Sequence, residues 1–419
     1  MKGTVVVSQL GARMHYAVPR IFENLGRLER LNTDICAARG WPRALGMMPR
    51  RALPASLRRL AGRVPQGIPP HKIRCFETIG LQSVIRRMMT PTIAVDTQVA
   101  LEAGRAFSRA VVAEGFGEAR AFYGMSGECL EQLQAARKQG LWSAVEQVIA
   151  PRSVADRLVA LETERHPGWE PAPDEVPLAG EYAQREKDEW EAADLVICAS
   201  DFVRDGIAAA GGPVERCVVV PYGVDATVVR NFSKPRLPGR LRVLTVGAAC
   251  LRKGTPDVMA SALRLSKEAS FRFVGPVEQL PAARQRELAD ALTVTGQVPR
   301  SEIPAQYDWA DIFFLPSICE GSATVIYEAL AAGLPVVTTP NAGSVVRDGV
   351  DGFVCPAGDV DALCDRISRL AADPDLVVWM GRNARARAAE FDVAAYGRRL
   401  WAAFDPSASA EMEKLSCAV

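Results

Sequence analysis

The chain has 419 residues, which at about 150 residues per domain suggests two or three domains rather than one small core. Its 48% hydrophobic and 24% charged residues exclude disorder, collagen and coiled coil as descriptions of the whole. The net charge of +1 hides an asymmetry: residues 1–90 hold 16 basic and 4 acidic side chains (+12), leaving 34 basic and 45 acidic (−11) for residues 91–419.

In chain order, residues 1–7, the turn containing Gly11 and the apolar pattern over 18–28 predict strand, loop and helix. Residues 40–73, rich in Pro and Arg, predict a partly helical excursion. Strands follow at 119–123, 145–149, 195–199 and 217–220, with helices at 129–138 and 181–193; Ser200 ends a strand and opens a helix from Asp201. The stretch NFSKPRLPG, residues 231–239, combines two prolines and a glycine and reads as a linker. Beyond it the alternation restarts, with strands at 242–246, 271–274, 292–295, 312–315 and 335–338 and helices at 256–265, 282–291, 303–309, 323–332 and from 359. Strands separated by helices imply parallel sheets covered on both faces, hence an α/β chain of two doubly wound, Rossmann-like domains with ligands at the strand carboxyl ends. The expected division is 1–228, a linker at 229–240, 241–390, and a last helix at 391–405 that crosses back to the first domain.

No stretch approaches the roughly 18–20 apolar residues of a spanning helix, and the apolar run 4–7 is too short for a secretory signal, so a cytoplasmic location is expected. The ten cysteines show no CxxC spacing, which argues against a zinc knuckle or a thioredoxin-like pair. The basic excess lies largely in arginine pairs at 50–51, 58–59 and 86–87, interleaved with Leu, Pro and Met rather than stacking aromatics. That pattern disfavours nucleic acid and suits peripheral contact with an anionic membrane surface.

Two segments carry chemistry. VGAACLRKG, residues 246–254, follows the first strand of the second domain: Gly247 allows a ligand near the backbone, and Arg252 and Lys253 place two cations at the same mouth, an arrangement suited to a diphosphate. ICEGSATVIYEALAAG, residues 318–333, places Glu320 just before a helix and Glu328 on it, with Ser322 as N-cap and Gly333 just past the end. The amides of Gly321, Ser322, Ala323 and Thr324 and the positive end of the helix dipole would then face an anionic ligand.

The Glu320-x7-Glu328 spacing, PYGVD at 221–225, RKG at 252–254, LPS at 315–317 and GSVVRDGVDGFVCPAGD at 343–359 together resemble the retaining glycosyltransferases of family 4, which have the GT-B fold. The resemblance covers residues 190–400 and is weak over 1–180. It implies two Rossmann-like domains facing across a cleft, a nucleotide sugar (UDP- or GDP-linked) as co-substrate, a saccharide or lipid-linked acceptor, and no bound metal. Residue by residue it implies that Arg252 and Lys253 hold the donor diphosphate, Glu328 accepts the ribose hydroxyls, Glu320 touches the sugar, and the backbone around Gly296 and Val298 reads the base. Where many members carry an arginine after the glycine matching Gly247, this chain has Ala248. Relatives often place a histidine near the reacting centre. Here His15, in the loop GARMHY with Gly11 and Arg13, is the better placed, and His166, in ERHPGWE, is the second choice. A non-catalytic nucleotide-sugar-binding subunit or a sugar-nucleotide epimerase would use the same architecture.

Overall fold

The computed structural model describes residues 3–45, 55–89, 93–170, 178–224 and 239–405. Residues 229–238 of the expected linker, and Asp225 of PYGVD, lie outside the described residues. Within them the strands form two wholly parallel sheets. The first contains β1 (Val5–Ser8), β2 (Leu28–Thr33), β3 (Ile73–Cys75), β4 (Ala121–Met125), β5 (Trp142–Gln147), β6 (Leu195–Cys198) and β7 (Cys217–Val219), in the order β3-β2-β1-β4-β5-β6-β7. The second contains β8 (Leu241–Val246), β9 (Ala269–Val274), β10 (Thr293–Val294), β11 (Ile312–Leu315), β12 (Val336–Thr338) and β13 (Gly352–Val354), in the order β10-β9-β8-β11-β12-β13. Strands such as LVIC in β6 and IFFL in β11 are buried throughout, as helices on both faces require. Val5 pairs with Leu28 on one side and Ala121 on the other, and Val243 likewise with Phe271 and Ile312, so each sheet reverses direction beside its first strand. Those reversals are the switch points where doubly wound sheets take ligands.

The structure alters several local expectations. The helix expected to reach residue 28 is Ala17–Asn24; Gly26 adopts φ +65° and turns the chain into β2. β2 itself was masked by its composition, since Glu29 and Arg30 are only half-buried between the buried Leu28 and Leu31. The stretch 74–118, for which no element was expected, holds helices Glu77–Met89 and Ile93–Glu114. The strand expected at 145–149 is β5, three residues earlier. Ser200 does cap the next helix, its Oγ accepting from the Val203 amide.

Each half of the chain contributes to the other. The helix Val393–Phe404 packs Trp401 and Phe404 against Phe22, with ring centroids 6.2 and 5.3 Å apart, and Tyr396 against Tyr222 at 5.8 Å. In the opposite direction, the helix Arg152–Arg165 starts on the first half, where the Arg152 amide donates to Glu186 at 2.7 Å. Just past its end, Trp169 is buried in the second core with Leu241, Phe271 and Phe314. No helix among the described residues is long and apolar enough to cross a membrane.

Candidate functional site

The carboxyl end of β8 leads into Gly247, beneath the Lys253 side chain: a Cβ there would lie 3.4 Å from Lys253 Cδ. After the turn Leu251–Lys253, Gly254 takes φ +69° and starts the helix Thr255–Arg264. A Cβ on Gly254 would stand 2.1 Å from the Pro316 carbonyl oxygen, so only glycine lets this turn press on the loop after β11. That loop is held in return, because the Arg252 carbonyl accepts from the amides of Ile318 (2.9 Å) and Cys319 (3.1 Å). The clasp brings three charges together: Arg252 Nη1 and Lys253 Nζ lie 2.7 and 2.5 Å from Glu320 Oε1. Both are ion-pair contacts without hydrogen-bond alignment. Two cations around one largely buried carboxylate leave the mouth of the sheet positive. Burial is the largest single influence on Arg252 and works against its charge, but Glu320 together with Cys250 and Cys319 raises its pKa on balance.

The helix Thr324–Ala331 follows. Its N-cap is Ala323 rather than the expected Ser322, whose Oγ instead lies 2.9 Å from the Tyr327 hydroxyl. Of the four amides expected to face a ligand, that of Ala323 donates to the Ala342 carbonyl at 3.1 Å. No hydrogen bond among the described residues takes those of Gly321, Ser322 and Thr324. Gly333 follows the helix with φ +77°. Glu328 accepts from the buried Tyr307 hydroxyl at 2.9 Å, and burial raises its pKa while Tyr307 and Arg300 lower it. Gly296 has φ +69° and its carbonyl accepts the Gly275 amide at 3.0 Å; Val298 is half-buried. Gly296 and Gly247 therefore follow the ends of β10 and β8 on one rim.

Opposite, the carboxyl ends of β4 and β5 border a cavity of about 360 Å3 lined by Arg13, Val18, Met125, Glu146, Val148 and Tyr222, among others. Glu146 accepts from the hydroxyls of Tyr123 (2.6 Å) and Tyr222 (2.9 Å), and burial raises its pKa. The cavity adjoins the other mouth, since a Cβ on Gly321 would meet the Val148 carbonyl oxygen at 1.8 Å and Ser200 Oγ donates to the Gly321 carbonyl. In the loop after β1 the Gly11 amide donates to Asp34 at 2.9 Å, and Arg13 lies 3.7 Å from Glu128. Burial pushes Glu128 up to about 7. Met14, His15 and Tyr16 all have positive φ, at 45°, 52° and 60°, a strained run that projects His15 onto Arg300 of the second half. Partial burial and the guanidinium groups of Arg300 and Arg20 lower the His15 pKa.

His166 is elsewhere. ERHPGWE folds onto the second sheet, and His166 Nε2 lies 3.6 Å from Glu162 and 3.9 Å from Asp257 on the helix Thr255–Arg264. The expectation that it shares the acceptor side is corrected by this packing. Sequence reasoning passed over Glu146, Tyr222, Tyr307 and Arg300. Tyr222 stood in PYGVD, quoted without a role of its own, and Glu146 was a carboxylate within an expected strand; Tyr307 and Arg300 had no signal.

Residues 240–373 match the family described as Glycosyl transferases group 1. The matched segment holds the whole Arg252, Lys253, Glu320 and Glu328 arrangement. Among curated relatives, a Salmonella typhimurium protein assigned as colanic acid biosynthesis glycosyltransferase WcaL is 30% identical over 49% of this chain and 55% of its own length. The GDP-mannose-dependent alpha-(1-6)-phosphatidylinositol monomannoside mannosyltransferase of Mycobacterium tuberculosis is 29% identical over 57% of this chain and 67% of its own. The chain thus spans about half the length of the first of these relatives and two thirds of the second. Sucrose-phosphate synthase from Thermosynechococcus elongatus superposes over 100% of both chains with a TM-score of 0.63 at 17% identity, a likeness of fold. The fold is GT-B: two Rossmann-like parallel-sheet domains.

Proposed function

We propose that the chain is a glycosyltransferase that moves a sugar from a UDP- or GDP-linked donor to a saccharide or lipid-linked acceptor, with retention, in the synthesis of a cell-surface polysaccharide or glycolipid. The observation that carries this reading is the convergence of Arg252 and Lys253 on Glu320, beside a helix start with untaken amides, inside the segment that matches the glycosyltransferase family. The two cations would take the donor diphosphate, Glu328 the ribose, and the backbone from Gly296 to Val298 the base. The apolar cavity beside Gly321 would take the acceptor.

In the proposed reaction the bond from the anomeric carbon to the phosphate oxygen breaks and a bond to the acceptor oxygen forms on the same face. The departing phosphate oxygen receives the acceptor's proton. Arg252, Lys253 and the amides stabilise the charge that grows on the diphosphate. Glu320, engaged by two cations, is a poor nucleophile, which favours this route over a covalent glycosyl-enzyme.

Thermal stabilisation by a panel of UDP-, GDP- and ADP-sugars tests the donor site. A specific shift for one nucleotide that is lost in Glu328→Ala is expected; no shift with any of them would sink it. The acceptor would be met at an anionic membrane surface. The helix Glu77–Met89 exposes Leu81, Val84, Ile85 and Met89 on successive turns, within the segment of +12 charge. Sedimentation with phosphatidylglycerol vesicles but not with phosphatidylcholine vesicles is expected, and indifference to lipid charge would remove the membrane from the proposal.

A further inference from the structure

The helix Arg152–Arg165 carries the first half of the chain onto the second. That helix is fixed at its start by Glu186 and by Thr97, whose Oγ1 accepts from Arg152 Nη1 at 3.0 Å. Its far end and the residues after it are anchored on the second half. Arg165 Nη2 donates to the Gly358 carbonyl at 2.7 Å, and Arg284, on the helix Ala282–Ala291, donates to the carbonyls of Pro167 (3.1 Å) and Gly168 (3.3 Å). Arg284 also lies over the Trp169 ring at 5.8 Å, and Trp169 is only 4% exposed in the second core. Next to Trp169, Glu170 Oε1 accepts from the Leu251 amide at 2.5 Å.

Leu251 opens the turn whose other two residues are Arg252 and Lys253. Its amide lies at the start of that turn, where no carbonyl within the turn can take it. We propose that Glu170 is a positioning residue for the donor loop: a carboxylate borrowed from the first half fixes the first amide of the Leu251–Lys253 turn, and so the direction in which both cations point. This rests on the donor-site reading above. Through the helix Arg152–Arg165 it also ties the cation pair to the first half, so a shift of one half against the other is felt at Leu251.

The test compares Glu170→Met, which keeps the length and removes the acceptor oxygen, with Glu170→Gln, which keeps an oxygen in place. Steady-state kinetics and UDP and GDP affinity are measured on the full chain alongside Arg252→Ala/Lys253→Ala. For Glu170→Met the expected result is about a tenfold rise in donor KM and nucleotide Kd, with acceptor KM and melting temperature near wild type and Glu170→Gln within about threefold of it. Arg284→Met, which loosens the same segment from its other side, is expected to raise donor KM in the same direction, and it serves if Glu170→Met fails to fold. If the double variant loses nucleotide affinity while Glu170→Met and Arg284→Met do not, the positioning role is overturned and the donor site stands. If none of the variants changes nucleotide affinity, the donor reading falls and the positioning role with it.

Discussion

Lys253 Nζ lies 2.5 Å from Glu320 Oε1, on the oxygen that Arg252 also approaches. The cations that would meet a diphosphate are therefore already compensated, and an arriving anion competes with a carboxylate rather than with water alone.

Removing the cations should abolish transfer without unfolding the chain. Charge-assisted contacts of this kind are worth about 1.5–3 kcal/mol each, so Arg252→Ala/Lys253→Ala should lose on the order of a thousandfold in kcat/KM for the donor. Near-normal turnover in the double variant would remove the donor site from this mouth.

Tyr307→Phe takes away the hydroxyl that holds Glu328 from within the core. Nucleotide affinity should fall by about fivefold to tenfold, in the same direction as Glu328→Ala and by less, since the carboxylate remains but is no longer oriented. Calorimetric titration with UDP and GDP checks it; an affinity equal to wild type would dissociate Tyr307 from the site.

Asp257 gives a pH signature. Burial, and then Glu162, push its carboxyl up to about 7, with Arg165 opposing, and both of its oxygens lack a hydrogen-bond partner. The folded pKa is above the unfolded one, so between about pH 4 and 7 the unfolded chain releases this proton first and stability falls as pH rises. Asp257→Asn should remove that contribution, so its advantage over wild type grows across the window to on the order of 3 kcal/mol by pH 8. The pair is compared in a His166→Gln background, because that imidazole lies 3.9 Å from Asp257 and, with a pKa lowered chiefly by burial, also titrates. Melting temperatures at pH 5 and 8 decide it, and a difference constant with pH would refute it.

Gly321→Ala would put a Cβ 1.8 Å from the Val148 carbonyl oxygen, a backbone atom of the other half that cannot turn aside. The two mouths should separate, with transfer lost and a destabilisation of about 1–3 kcal/mol. Small-angle scattering and a transfer assay together test this; a compact, active variant would show the contact to be dispensable.

The second sheet was the more legible half. Its strands are short apolar runs between amphipathic helices, and Arg252, Lys253 and Glu320 stand beside strand ends where the alternation itself puts a ligand. In the first half β2 could not be read, because LERLNT has half-buried polar residues between buried ones. His166 misled because ERHPGWE has no local sign of the surface it joins: Trp169 finds its core among residues from Leu241 onward. The cavity was equally hidden, since Arg13, Glu146 and Tyr222 are brought together only by the strand order. Ser322 has the composition of a cap, but Tyr327, five residues on, takes its hydroxyl.

The aromatic contact between Phe22 and the pair Trp401 and Phe404 bears on how the protein is made. On a ribosome, the seven strands of the first sheet would all have emerged while the helix that covers Phe22 was still untranslated, more than 170 residues behind β7. Until then the nascent first half would show an unfilled aromatic face, a natural handle for a chaperone. Its final consolidation would await the end of the described chain, so folding of the two halves cannot be fully sequential.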